Sequence, residues 1–244
     1  MENRDDDSHI ENLTKKERKI SRNKNIILDG ASELFLKFNY QNVTMSDIAD
    51  SVALSRATLY NYFGTKEEIY FGIGLRYAKE LTNKMKKLFD SRKTGLEGLL
   101  SLYKFIFEGL LEIPLIPQIV ENLYKNLIEF NLFNSFISAA VLEDESTEIQ
   151  AKIDTLDIHI MDFTKAFINY RKVLNAEFRR GKEDGSIQSN LDEIGFFSLM
   201  NILYLGSGSF FRNFQFPTNQ NGMTGKQVIE LILKITESQL TDLT

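Results

Sequence analysis

The 244-residue chain contains no cysteine. Disulfides, thiolate metal sites and cysteine nucleophiles are thereby excluded, and the absence suits a reducing cytosol. Histidine is nearly as scarce: His9 and His159 lie far apart, and His9 falls in a polar N-terminal stretch. There is no phosphate-binding glycine loop and no nucleophile elbow, so the sequence offers no grounds for an enzyme, and neither a cofactor nor a metal ion is expected. Only three prolines occur, at positions 114, 117 and 217, each where a helix break is expected. No segment alternates apolar and polar residues in the manner of a strand. The opening residues MENRDDDSHIEN lack the apolar core of a secretory signal; residues 1–12 are expected to form a disordered tail.

What is present is an ordinary globular composition, 43% hydrophobic and 26% charged. The length allows one large domain or two modest ones. Net charge is −5, but it is unevenly spread. Residues 11–66 carry nine basic and six acidic side chains, whereas residues 67–244 have a balance of −5. The N-terminal quarter is thus the part suited to face phosphate.

Apolar spacing predicts helices throughout. The first covers about Thr14 to Phe38, with a stripe of Ile20, Ile27, Ala31, Leu34, Phe35 and Phe38. A second starts at Thr44, where Asp47 completes a capping box. After a tight turn at Ser51–Leu54, Ser55 caps a third helix reaching about Phe63. Gly64 breaks the chain, and Thr65 with Glu68 opens a long fourth helix ending near Phe89. Helices follow at 95–112 and about 117–131, with a less regular piece at 132–142. A long helix is expected from 148 to 183, then two more at 191–212 and 224–241.

The second and third helices form a helix-turn-helix. Ile48, Ala49, Val52, Leu54 and Leu59 supply its internal packing. Ser55, Arg56, Ala57 and Thr58 stand at the N-terminus of the second of these helices, the end that meets base edges. Arg56 can bond guanine O6 and N7 together, and Thr58 offers a hydroxyl or a methyl. Tyr60, Asn61 and Tyr62 can reach sugar-phosphate oxygens and set register.

The segment TMSDIADSVALSRATLYNYFGTKEEIY resembles the DNA-binding signature of the TetR family. Thr58, Leu59, Tyr60, Tyr62, Phe63, Lys66, Glu67 and Ile69 occupy the positions of its Thr-Leu-Tyr-x-Tyr-Phe and Lys-Glu-x-Ile elements. The likeness covers about residues 18–75. It implies an all-α fold: a tail at 1–12, a three-helix DNA-binding domain at 13–64, and a larger helical ligand-binding and dimerisation domain at 65–244. It also implies a cytoplasmic, homodimeric repressor on double-stranded operator DNA, with Thr44 among the DNA-contacting residues and Tyr60, Tyr62 and Lys66 on phosphates. Two departures stand out. Ala53 occupies the turn and Ala57 the position before Thr58, where the family usually has glycine. Alanine in a left-handed turn costs on the order of 1 kcal/mol.

Beyond residue 75 no motif is specific. The aromatic content there favours an unidentified small hydrophobic or aromatic effector. Candidate lining residues are Tyr103, Phe107, Asn122, Asn126, Phe130, His159, Phe163, Phe167 and Tyr204. Gly195, Ser198, Ile202, Gly206 and Ser209 form a small-residue face on the 191–212 helix, expected to pair with its copy across a two-fold axis. Residues 194–211 carry no charge and reach the length of a membrane span, but a helix buried between two packed surfaces explains them as well. The expectation is therefore no membrane. Two alternatives stay open: a DNA-organising or adaptor protein of the same fold without an effector, and a membrane-associated regulator.

Overall fold

The computed structural model describes residues 14–89, 94–213 and 224–241. The expected tail at 1–12, including His9, and Pro217 lie outside them. The described residues are helical, with no strand among them. The helices are α1 (Lys15–Asn42), α2 (Met45–Ser51), α3 (Arg56–Tyr60), α4 (Lys66–Phe89), α5 (Gly95–Glu112), α6 (Ile116–Glu129), α7 (Phe133–Ala140), α8 (Thr147–Ile153), α9 (Ile158–Glu183), α10 (Glu193–Asn213) and α11 (Gly225–Thr241).

The chain forms two compact units that divide between Ile73 and Gly74, not at the expected 64/65 boundary. The reason lies in the first turns of α4. Ile69, Tyr70 and Phe71 are buried, and the Tyr70 ring packs on Phe35 at 5.5 Å and on Tyr40 at 4.5 Å. Around them Ile27, Ala31, Ile48, Ala49 and Leu59 are fully buried, so α1 to α3 share one small core with the start of α4. The α1 stripe is shorter than expected: Ile20 and Phe38 are exposed, and Leu28 is buried instead. α1 also runs past Phe38 through a kink at Asn39, whose φ of 61° and ψ of 152° are not helical.

In the second unit α9 packs on α5 and α7, α10 on α5 and α6, and α11 on α5. Thr94 and Glu97 make a full capping box at the head of α5. There α5 crosses the end of α9 so closely that a Cβ on Gly95 would lie 2.0 Å from the Gly181 amide nitrogen. Only glycine fits that crossing. Asp184 secures it, accepting from the Gly95 N–H at 2.7 Å.

The expected helix from 148 to 183 is two helices. Asp154 to Leu156 form turns, and Asp157 then caps α9 by accepting from the His159 N–H at 3.1 Å. Ile149, Ile153, Leu156 and Ile160 are nevertheless all buried, so the apolar period continues through a break in the backbone.

Candidate nucleic-acid interface and effector cavity

The helix-turn-helix is held by short-range bonds. Thr44 Oγ1 accepts from the Asp47 N–H at 3.2 Å, and Asp47 Oδ2 accepts from the Thr44 N–H at 2.8 Å. These bonds, with Arg56 nearby, hold the Asp47 carboxyl below its usual range. α2 ends at a left-handed residue, Ala53, with φ of 54°. The Leu54 N–H reaches back to Ala49 O at 2.9 Å and the Ala53 N–H to Asp50 O at 3.2 Å, the two bonds of a Schellman stop. The strain expected of alanine in this turn is therefore present.

Ser55 caps α3 by accepting from the Thr58 N–H at 3.1 Å, and the two hydroxyls lie 2.8 Å apart. Ser55, Arg56, Ala57, Tyr60 and Asn61 are exposed, and Thr58, Tyr62 and Lys66 half-buried. Leu59 and Phe63 are buried, which points the remaining residues outward. Arg56 Nε donates to Ser46 Oγ at 2.9 Å, and Asn23 Nδ2 donates to the Tyr62 hydroxyl at 2.6 Å. Ser46 and Asn23 were not marked by the sequence reading, because each acts through a residue of another helix. Lys15, Lys16, Lys19 and Arg22 are exposed on α1.

Lys66 is engaged inside the unit. Its Nζ donates to Tyr40 O and Val43 O at 2.8 Å each and sits 4.3 Å from the Tyr40 ring centre. Burial pushes its pKa down. The ammonium thus clamps the end of α1, and its third N–H is what remains for a phosphate.

The second unit contains a cavity lined by Tyr77, Ala78 and Leu81 of α4, Tyr103 of α5, Ile116 and Val120 of α6, Phe163, Phe167, Tyr170 and Arg171 of α9, and Met200, Asn201 and Tyr204 of α10. It spans about 450 Å³ counting the part open to solvent, but only about 20 Å³ accepts the centre of a water molecule. The space is narrow as it stands. Four expected residues line it: Tyr103, Phe163, Phe167 and Tyr204. Phe107 is buried behind the wall, 6.2 Å from the Tyr204 ring.

Asn122, Asn126, Phe130 and His159 do not line it. Asn126 donates to Asn122 O at 2.8 Å along α6, and Phe130 is 56% exposed at that helix's end. His159 falls in the first turn of α9, 3.8 Å from Asp157 Oδ1, because the chain restarts at that cap. The sequence reading missed Tyr77, Tyr170, Asn201 and above all Arg171. The available signal was a cation four residues after Phe167, itself four after Phe163, on the core face of a helix.

On α10, Phe196, Phe197 and Met200 are buried, while Ser198, Ile202, Gly206 and Ser209 are exposed and Gly195 half-buried. Ile202 is 71% exposed, and nothing lies within 4 Å of where a Gly206 Cβ would stand. Leu231 and Ile235 of α11 are exposed too. By length and hydropathy, Glu193–Phe211 would suffice to cross a membrane, with 28% of the stretch buried.

The family model of bacterial regulatory proteins, tetR family, matches residues 27–73. The chain is 27% identical over 100 residues to the HTH-type transcriptional regulator AlkX of Mycobacterium tuberculosis, covering 41% of this chain and 47% of AlkX. It is 33% identical over 92 residues to the biofilm operon negative transcriptional regulator IcaR of Staphylococcus epidermidis, covering 35% of this chain and 46% of IcaR. The chain thus spans about half the length of the curated relatives it matches. Among solved structures, a tetR-family regulatory protein from Rhodococcus RHA1 superposes with a TM-score of 0.60 at 12% identity, over 89% of this chain and 96% of that one. FadR from Bacillus subtilis, solved with stearoyl-CoA, gives 0.56 at 17% identity, over 88% and 97%. At these identities the superpositions speak for the fold, an N-terminal helix-turn-helix followed by a helical unit. With the signature residues placed as they are, residues 27–73 carry the helix-turn-helix of the tetR family of bacterial regulatory proteins.

Proposed function

We propose that this protein is a homodimeric repressor, released from a palindromic operator when a small, largely apolar effector enters the α4–α10 cavity. The observation that carries the reading is the end of α3. Ser55, Arg56 and Ala57 are exposed there, while Leu59 and Phe63 anchor the helix from behind. Arg56 keeps its guanidinium N–H groups beyond the Ser46 bond for a guanine edge. Thr44, Thr58, Tyr60, Asn61, Tyr62 and Lys66 act on the backbone around it.

The exposed apolar residues of α10 and α11 support a two-fold pairing of copies, which would cover the surface that otherwise resembles a membrane span. IcaR is named a negative regulator, which favours repression here. FadR, of the same fold, carries a ligand with a long apolar chain, and the aromatic lining favours an apolar body here also. α4 supplies both Lys66 and the cavity residues Tyr77, Ala78 and Leu81. A ligand that needs the narrow space widened would move α4 and shift the dimer between DNA-competent and incompetent states. The protein would work in the cytoplasm, with its DNA.

The test is selection of the purified protein on random duplex DNA, followed by sequencing. An enriched palindrome is expected. No enrichment in low salt, with folded protein, would favour an architectural role and remove Arg56 as a base reader.

A further inference from the structure

Arg171 is 3% exposed, among aromatic side chains. Its guanidinium lies against the buried Tyr103 hydroxyl, and among the described residues no other group pairs with its Nε and Nη2. Among the described residues no carboxylate lies within 4.0 Å of the guanidinium. Its neighbours are the face of Phe197, 4.3 Å away, and the phenols of Tyr103, Tyr170 and Tyr124. An arginine keeps its charge in any protein environment. A buried cation without a counter-ion is costly, and removing one partner of such a pair is strongly destabilising. Buried charges are found paired, and among the described residues this one faces phenols with no carboxylate.

The two vacant nitrogens are the adjacent pair whose N–H bonds run side by side. That edge matches the two oxygens of one carboxylate. The Tyr103 O–H adds a third donor. Among the described residues no second cation lines the cavity, so a single negative charge balances the site, whereas a dianion would bring an uncompensated charge into it. Phe163, Phe167, Ile116, Val120 and Leu81 make the opposite walls apolar.

We propose that the effector is a monoanionic carboxylic acid with an apolar or aromatic body, its carboxylate held by Arg171 Nε and Nη2 and by the Tyr103 hydroxyl. This rests on the effector-regulated reading above and narrows it to a ligand class.

The test is calorimetric titration and thermal shift of the full chain. The probes are octanoate, dodecanoate, phenylbutyrate and indole-acetate, each beside its methyl ester and its alcohol. The acids are expected to bind about 10- to 100-fold more tightly than their neutral partners, the range of a charge-assisted bidentate pair. In Arg171→Met that preference should vanish while the neutral compounds still bind. Without ligand, the variant should melt no lower than the parent, since it loses an unpaired buried charge; an arginine serving only the fold would give a lower melting temperature. Arg171→Lys keeps the charge without the fork and should retain part of the preference. If esters and alcohols bind the parent as well as the acids do, the carboxylate assignment falls and the effector reading stands. If neither acids nor neutral compounds bind, both fall. The comparison on the parent protein needs no variant to fold.

Discussion

At the scale of single residues, two positions carry most of what can be tested. Ala53 sits at φ 54° in a Schellman stop whose bonds are made. Ala53→Gly should raise stability by up to about 1 kcal/mol, by removing the Cβ penalty. Chemical denaturation checks this, and an unchanged midpoint would mean the turn has relaxed around the methyl group. Arg56 is exposed, so Arg56→Ala should leave stability within about 0.5 kcal/mol. On the selected operator it should cost about 1–3 kcal/mol and relax preference at one base pair of each half-site. A uniform loss across all sequences would instead make Arg56 a phosphate contact.

Among the elements, α4 and α9 matter most, because both line the cavity. α4 carries two glycines and stays helical through both. Gly72 lies beside Leu28, where an added Cβ would stand 3.2 Å from Cδ2. Gly74 is tighter: a Cβ there would come 2.8 Å from Ile119 Cγ2 and 3.0 Å from the Phe163 ring. Close packing explains both, and at Gly74 it outweighs the helix preference for alanine. Gly74→Ala should destabilise by about 1–3 kcal/mol despite its higher propensity. A thermal melt higher than the parent's would show that Phe163 yields easily, and hence that the cavity wall is soft.

At the scale of the whole molecule, association and acid response are open to measurement. Ile202 is 71% exposed on the proposed two-fold face. Ile202→Glu should leave the helical circular-dichroism spectrum unchanged and yield a monomer by sedimentation at micromolar concentration. A variant that stays dimeric would move the interface elsewhere. Acid should unfold the protein through its capping carboxylates. Asp184 is held below its ordinary value by the Ser186 hydroxyl, the Gly95 N–H and the Ser186 N–H, and Asp47 by Thr44. Their folded pKa values lie below the unfolded ones, so the folded chain binds fewer protons there. Their stabilisation is complete above the unfolded value of about 4 and is lost as pH falls through the folded values. Asp184→Asn should flatten the acid limb of a stability–pH curve and leave the neutral region lower but level.

The sequence by itself determined what depends on neighbours within a few positions. Thr14 with Glu17, Thr44 with Asp47, Ser55 with Thr58 and Thr94 with Glu97 start their helices through bonds spanning three residues. The starts of the two helix-turn-helix helices are set by such contacts, which is why their outline was legible. The break at 154–157 was not, because burial, and with it the apolar period, continues across it while a local aspartate cap restarts the helix. The extra turns of α4 in the first unit depend on Phe35 and Tyr40, some thirty residues away. The cavity gathers side chains from Tyr77 to Tyr204. Only the tertiary structure decided that His159 lies outside it and Arg171 within. Whether a charge is paired depends on what distant helices bring to it, and here the described helices bring phenols and hydrocarbon but no carboxylate.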